Sequence, residues 1–311
     1  MKNQRHLQWG IRLGAVIAVA TLMLNTGCKP KETAGGAGGG GAAKTTIQNK
    51  GSDTMVNVAQ VWAEEYKKSH PNVEVEVSGG GSGVGIAALI KGTIDIANAS
   101  RNMKPGEIEQ AKKNTGKDAK EFIVGYDALA IYVNKDNPMN EISAEQLATI
   151  YGEGGKVTKW SEIGVKMPEG KDEIIRVSRQ SSSGTYEFFR EHILSNKDFK
   201  QGSRDMNGSK EVVELVGSTV GAIGYSGMGY NEPGKVKMLK VAPKTGQPGV
   251  EPSVANTLNK SYPIARSLQI YTLGEPQGEV LNYVNWILSD AGQAVVEKSG
   301  YVPLAPEARK K

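Results

Sequence analysis

The sequence predicts an α/β fold made of more than one domain, and three observations carry that prediction. Helical and extended patterns alternate from Ile47 to Lys298, as they do when sheets are covered by helices. Three times an extended run passes through a turn of Gly, Ser and Thr into a helix start: Gly51-Ser-Asp-Thr54, Gly81-Ser82-Gly83 and Ser181-Ser-Ser183-Gly184-Thr185. The 311 residues also exceed the roughly 100–200 of one ordinary domain, and no internal repeat divides them.

The elements follow in order. Met55, Ala59, Trp62 and Tyr66 are spaced by four, three and four, which places them on one helix face. Val73, Val75 and Val77 alternate with Glu74 and Glu76, the period of a half-buried strand. The turn GGGSGVG leads into a helix over Ile86–Ile90 that Gly92 stops, and Ile94 restarts extended structure. Phe122–Asn134 is a long extended run. Ser143 and Gln146 form a capping box for a helix through Leu147 and Ile150, closed by Gly152. Ile174–Arg179 reads as a strand and Thr185–Leu194 as a helix. Ala222–Tyr225, Val236–Val241 and Ile264–Tyr271 are further strands, and Glu279–Leu288 and Ala291–Lys298 close the chain as helices.

The first 27 residues read as a secretion signal: Lys2, Arg5 and Arg12 precede an uncharged stretch, Leu13–Gly27, too short to span a bilayer. Cys28, the only cysteine, follows directly and is a candidate lipidation site. Lys29 to Thr46, rich in Gly and Ala, reads as a flexible tether. The formal charge of +5 falls to +2 once residues 1–27 are set aside, too balanced to imply nucleic acid as a partner. If the ligand is an anion, local geometry must hold it.

A helix N-terminus offers unpaired N–H groups and a positive dipole end, and small hydroxyl residues there add donors. One such start is ordinarily a plain cap, but three in one chain point to an anion. Arg179, four residues before Ser183, could fork onto an oxyanion beside the third, or pair with Glu173 or Glu187 at the surface. Other chemistries lack their parts. Gly83-Val-Gly85-Ile-Ala-Ala88 matches a dinucleotide fingerprint, but Met103 stands where its acidic partner belongs. There is no phosphate-binding P-loop. After the signal only His70 and His192 remain, too few for a metal cage or a convincing Ser-His-Asp triad, so neither cofactor nor metal is expected.

The three helix starts, in this order, resemble the substrate-binding protein of bacterial high-affinity phosphate ABC transporters. The likeness runs from about Ile47 to Leu304 and rests on GSDTM at 51–55, GSGVGIAALIKGTIDIANASR at 81–101, DALAIYVNKDNP at 127–138, SRQSSSGTYEFF at 178–189 and GAIGY at 221–225. It implies a two-lobed periplasmic-binding-protein fold, type II-like, with the ligand in the cleft between lobes. Residues 47–127 with 268–311 would form one lobe and 128–267 the other. It implies a monomer that captures inorganic phosphate, hands it to an ABC permease and touches the membrane only through the lipid at Cys28. Carried over by position, the site residues are Thr54, Met55 through its N–H, Ser82, Arg179, Ser183, Gly184 and Thr185, with Ser100 as a further donor.

Ser100 is also a departure, for the family places an aspartate there. A buried carboxylate can accept the proton of HPO₄²⁻ but only repels sulfate. Asp127, alone in an apolar run, is the expected substitute, with Arg101 or a backbone N–H as its alternative partner. Sulfate or molybdate is the alternative ligand. A Ser-dependent extracytoplasmic phosphatase using Ser183 or Ser82 is the alternative from another class, and a scaffold without ligand is a third.

Overall fold

The computed structural model describes residues 44–309. The signal, Cys28 and nearly all of the expected tether therefore lie outside the described residues. The tether was expected to reach Thr46, yet the first strand already begins at Thr45, whose N–H is bonded to Asn72 O. Polar residues at a strand start carry no apolar signal, so they read as linker.

The chain opens with β1 (Thr45–Gly51), α1 (Val56–Ser69), β2 (Val73–Ser78), α2 (Ser82–Ile90), β3 (Ile96–Ala99) and α3 (Pro105–Thr115). The α1 face predicted from spacing is the buried one: Ala59, Trp62 and Tyr66 pack inward with Val58. A single long strand, β4 (Ala119–Asn134), follows. Next come β5 (Glu141–Ser143), α4 (Ala144–Tyr151), β6 (Ile175–Arg179), α5 (Gly184–His192), β7 (Arg204–Met206) and α6 (Ser209–Ser218). Ser143 caps α4 as its sequence predicts, accepting from Gln146 N–H while the Gln146 side chain reaches back. β8 (Ala222–Gly227), β9 (Val236–Ala242), α7 (Val254–Leu258), β10 (Ala265–Leu273), α8 (Gly278–Ile287) and α9 (Asp290–Lys298) complete it.

The strands run β2-β1-β3-β10-β4-β8-β6-β7, with β9 against β4 and β5. β1, β2 and β3 are parallel, as are β6, β7 and β8, while β10 and β4 run antiparallel between these groups. β4 changes partners midway: Ala119–Ala128 pair with β10, and Leu129–Val133 pair with β8. Asp127 sits one residue before that change.

The core divides at the same place. One apolar cluster draws on Ala128–Ile264 with Val302; the other two draw on Ile47–Val124 and Leu268–Leu304. β4 and β10 join the halves, so both halves are anchored to one pair of strands.

Candidate functional site

The three helix starts meet where the two halves of the core touch. The turn into α1 supplies Ser52 and Thr54, the start of α2 supplies Ser82, the end of β3 leads to Ser100, and the start of α5 supplies Ser183, Gly184 and Thr185; all are buried. Thr54 Oγ1 and Thr185 Oγ1, from opposite halves, lie 2.9 Å apart. Ser52 donates to Ser100 Oγ at 2.9 Å, and Ser82 Oγ accepts from Ser100 N–H at 3.1 Å. Ser183 Oγ accepts from the N–H groups of Thr185 and Tyr186 as the α5 cap, which leaves its own proton free to donate. Met55 N–H donates to Ser52 O and closes the α1 turn, while its side chain fills the core.

Gly184 is a contact point of the halves. A Cβ there would lie 2.3 Å from Ser82 Oγ and 2.8 Å from Ser100 Oγ. Only a residue without a side chain admits so close an approach.

Two arginine–aspartate pairs flank the hydroxyls. Arg179 Nη2 donates to Asp53 Oδ2 at 2.9 Å and to Asn207 O at 3.0 Å, and Nη1 to Ser209 Oγ at 3.0 Å; its Nε is buried with no partner. Neither Glu173 nor Glu187 pairs with it. Asp53 Oδ1 accepts from Gly80 N–H at 2.8 Å, and Tyr230 donates to Asp53 O at 2.7 Å. Burial pushes the Tyr230 phenol up to about 12, so it stays a neutral donor.

The second pair is Asp127 with Arg266, which face each other in the β4–β10 register. Asp127 Oδ2 accepts from Arg266 Nε at 3.0 Å and Nη2 at 2.8 Å, and Oδ1 from Met228 N–H at 3.0 Å. Complete burial pushes the Asp127 carboxyl above the usual range, opposed by the Arg266 charge. Arg101, the partner considered from sequence, is bound to Glu107 instead.

The structure thus gathers Thr54, Ser82, Ser100, Gly184 and Thr185 into direct contact, with Asp127 one step behind through Arg266. Arg179 reaches the first helix start only through Asp53. Sequence reasoning missed Ser52 and Arg266. The signal for Arg266 was a cation in the extended run Ile264–Tyr271, opposite the run holding Asp127. Chemically, the site offers neutral hydroxyl donors and two guanidinium groups, each already beside a carboxylate. Such a shell suits a small oxyanion whose charge is spread over many short contacts. Among the described residues no group of three or more His, Cys, Asp or Glu could hold a metal ion, and no helix is long and apolar enough to cross a membrane.

Residues 36–291 match the family model described as "PBP superfamily domain". The chain is 34% identical over 275 residues to the phosphate-binding protein PstS of Pseudomonas aeruginosa, covering 85% of each. The chain belongs to the phosphate-binding protein family of the PBP superfamily. The protein SphX of Synechococcus elongatus is 36% identical, over 86% of this chain and 80% of that one. A solved relative from Clostridium perfringens, described as a putative phosphate ABC transporter substrate-binding protein with bound phosphate, superposes with a TM-score of 0.74 at 30% identity, covering 84% of this chain and all of that one. The expected two-lobed binding-protein fold is therefore the fold of this family member, with β4 and β10 as the strands joining its lobes.

Proposed function

We propose that this protein captures inorganic phosphate between its lobes and delivers it to an ABC permease outside the cytoplasm, without chemical turnover. The observation that supports this most directly is the meeting of Thr54 and Thr185 hydroxyls from opposite halves, with Arg266 donating to both and Ser82 and Ser100 beside them. In this reading Thr54, Ser82, Ser100, Arg179, Ser183, Gly184 and Thr185 form the phosphate shell, whereas the Met55 N–H expected there is bonded to Ser52 O instead. Residues 47–127 with 268–311 move as one lobe against 128–267, and each lobe supplies only part of the shell. Ligand therefore favours the closed arrangement, which docks on the permease. The protein works as a monomer, held to the membrane by lipid on Cys28.

Asp127 is proposed as the acceptor for the ligand's proton. A carboxylate offers about four lone-pair sites, of which Arg266 and Met228 occupy three. The fourth serves the proton of HPO₄²⁻ and has no use for sulfate.

Calorimetric titration of the protein, stripped of bound phosphate, tests the reading. Tight one-to-one phosphate binding with little heat from sulfate is expected. Silence to both anions would remove it, and preference for sulfate would reassign the ligand.

A further inference from the structure

Arg266 is fixed on three sides. The β4–β10 register places it opposite Asp127, Nε and Nη2 are both bound to that carboxylate, and its guanidinium carbon lies 5.5 Å from the centroid of the Phe188 ring. The edge formed by Nη1 and Nη2 is turned elsewhere. Nη1 donates to Thr185 Oγ1 at 3.0 Å and to Ser100 O at 3.3 Å, and Nη2 to Thr54 Oγ1 at 3.3 Å. Those two threonine oxygens, one from each lobe, are 2.9 Å apart. A guanidinium fork closing on two neighbouring oxygens is the geometry it adopts with carboxylate or phosphate.

We propose that Arg266 is itself a ligand-binding residue, which grips two oxygens of the captured oxyanion through its Nη1–Nη2 edge. Thr54 and Thr185, now bonded to each other, turn their protons to the same anion. Asp127 is then a positioning residue as well as an acceptor, because it holds the opposite side of the fork. Arg179 has the lesser direct part: its Nη groups are engaged by Asp53, Asn207 and Ser209, and its free donor is Nε. The inference rests on the reading that phosphate occupies the cleft.

The experiment separates the two. Phosphate is titrated into wild-type protein first; failure to bind would end the reading itself. Given binding, Arg266→Gln is expected to lower phosphate affinity at least about a hundredfold, since two charge-assisted hydrogen bonds are lost. It should also flatten the rise in affinity as pH crosses the second ionisation of phosphate, because the cation favouring the dianion is gone. A lone buried Asp127 could unfold that variant, so Arg266→Gln with Asp127→Asn is made in parallel, keeping an uncharged pair. The double variant, which also lacks the Asp127 acceptor, should show at least the same loss with native near-UV circular dichroism. Binding within about threefold of wild type in either folded variant would overturn the proposal. Wild-type protein gives an independent reading: saturating phosphate should shift the Arg266 Nη proton resonances and slow their exchange. Unchanged resonances would overturn the proposal with no variant involved.

Discussion

The two arginine–aspartate pairs look alike in composition and differ in what holds them. Asp127 and Arg266 are neighbours on adjacent strands, fully enclosed, and the register that faces them is fixed by the β4–β10 ladder on both sides. Asp53 and Arg179 belong to opposite halves; Asp53 sits in the turn before α1, its side chain 14% exposed, and Arg179 ends β6. Opening of the lobes about β4 and β10 would break the Asp53–Arg179 pair and leave Asp127–Arg266, which lies in the joining strands, intact. A charge pair bound by strand register serves as part of the frame, whereas the same pair across a cleft acts as a latch.

The largest effect expected from that contrast is on stability. Asp127→Ala leaves the Arg266 charge enclosed and unpaired, and should cost about 3–5 kcal/mol in denaturant unfolding. Asp53→Ala should cost about 1–2 kcal/mol, because Arg179 keeps Ser209 and Asn207 O as acceptors. Equal losses would dissolve the distinction between frame and latch.

A second effect is on closure. Gly184→Ala places a methyl against Ser82 and Ser100, and overpacking of about 1–3 kcal/mol should weaken phosphate binding roughly ten- to hundredfold while melting temperature holds. Undiminished affinity would show that the lobes need not approach this closely. In the absence of ligand, Asp53→Asn should enlarge the radius of gyration seen by small-angle scattering, and Asp127→Asn should not. Asp127→Asn should instead erode the preference for phosphate over sulfate; retained preference would strip Asp127 of its acceptor role.

The smallest effects come at the rim and in acid. Lys104 pairs with Glu187 across the two halves at 3.0 Å but is half-exposed, so Lys104→Ala should change stability by no more than about 1 kcal/mol. Asp127, with its carboxyl raised by burial, takes up a proton in the folded state at a pH where the unfolded chain does not. Its contribution to stability is full below the ordinary value of about 3.9 and is lost as pH rises through the raised one. Wild type should therefore gain on Asp127→Asn as pH falls from neutrality, which melting curves at several pH values would show.

Much of the fold was legible because its signals are local. The inward face of α1, the capping box at Ser143 and the runs that became β4, β6 and β10 all follow from spacing within a few turns. Helix α3 was not read: it buries only Ala111, and its one large apolar residue, Ile108, is exposed, so it has no stripe to see. The candidate site divides the same way. Ser82, Ser183 and Thr185 announce themselves as helix starts, whereas Arg266 carries no motif. Its meaning comes from a partner 139 residues away in the chain, and only the pairing of two strands reveals it. The Ser100 departure was legible as a missing charge, and Asp127 as its candidate replacement, without the cation that comes with it.

The partner change within β4 also bears on the order in which the molecule assembles. β3 pairs on one side with β1 and on the other only with β10, so the first half of the chain cannot finish its sheet until residues beyond 264 arrive. The second core, from Ala128 to Ile264, holds nearly all its own strand partners and can consolidate first. Closing so long a loop is slow relative to local contacts. Refolding should then show two phases, an early one reported by Trp160 in the second core and a late one by Trp62 in the first.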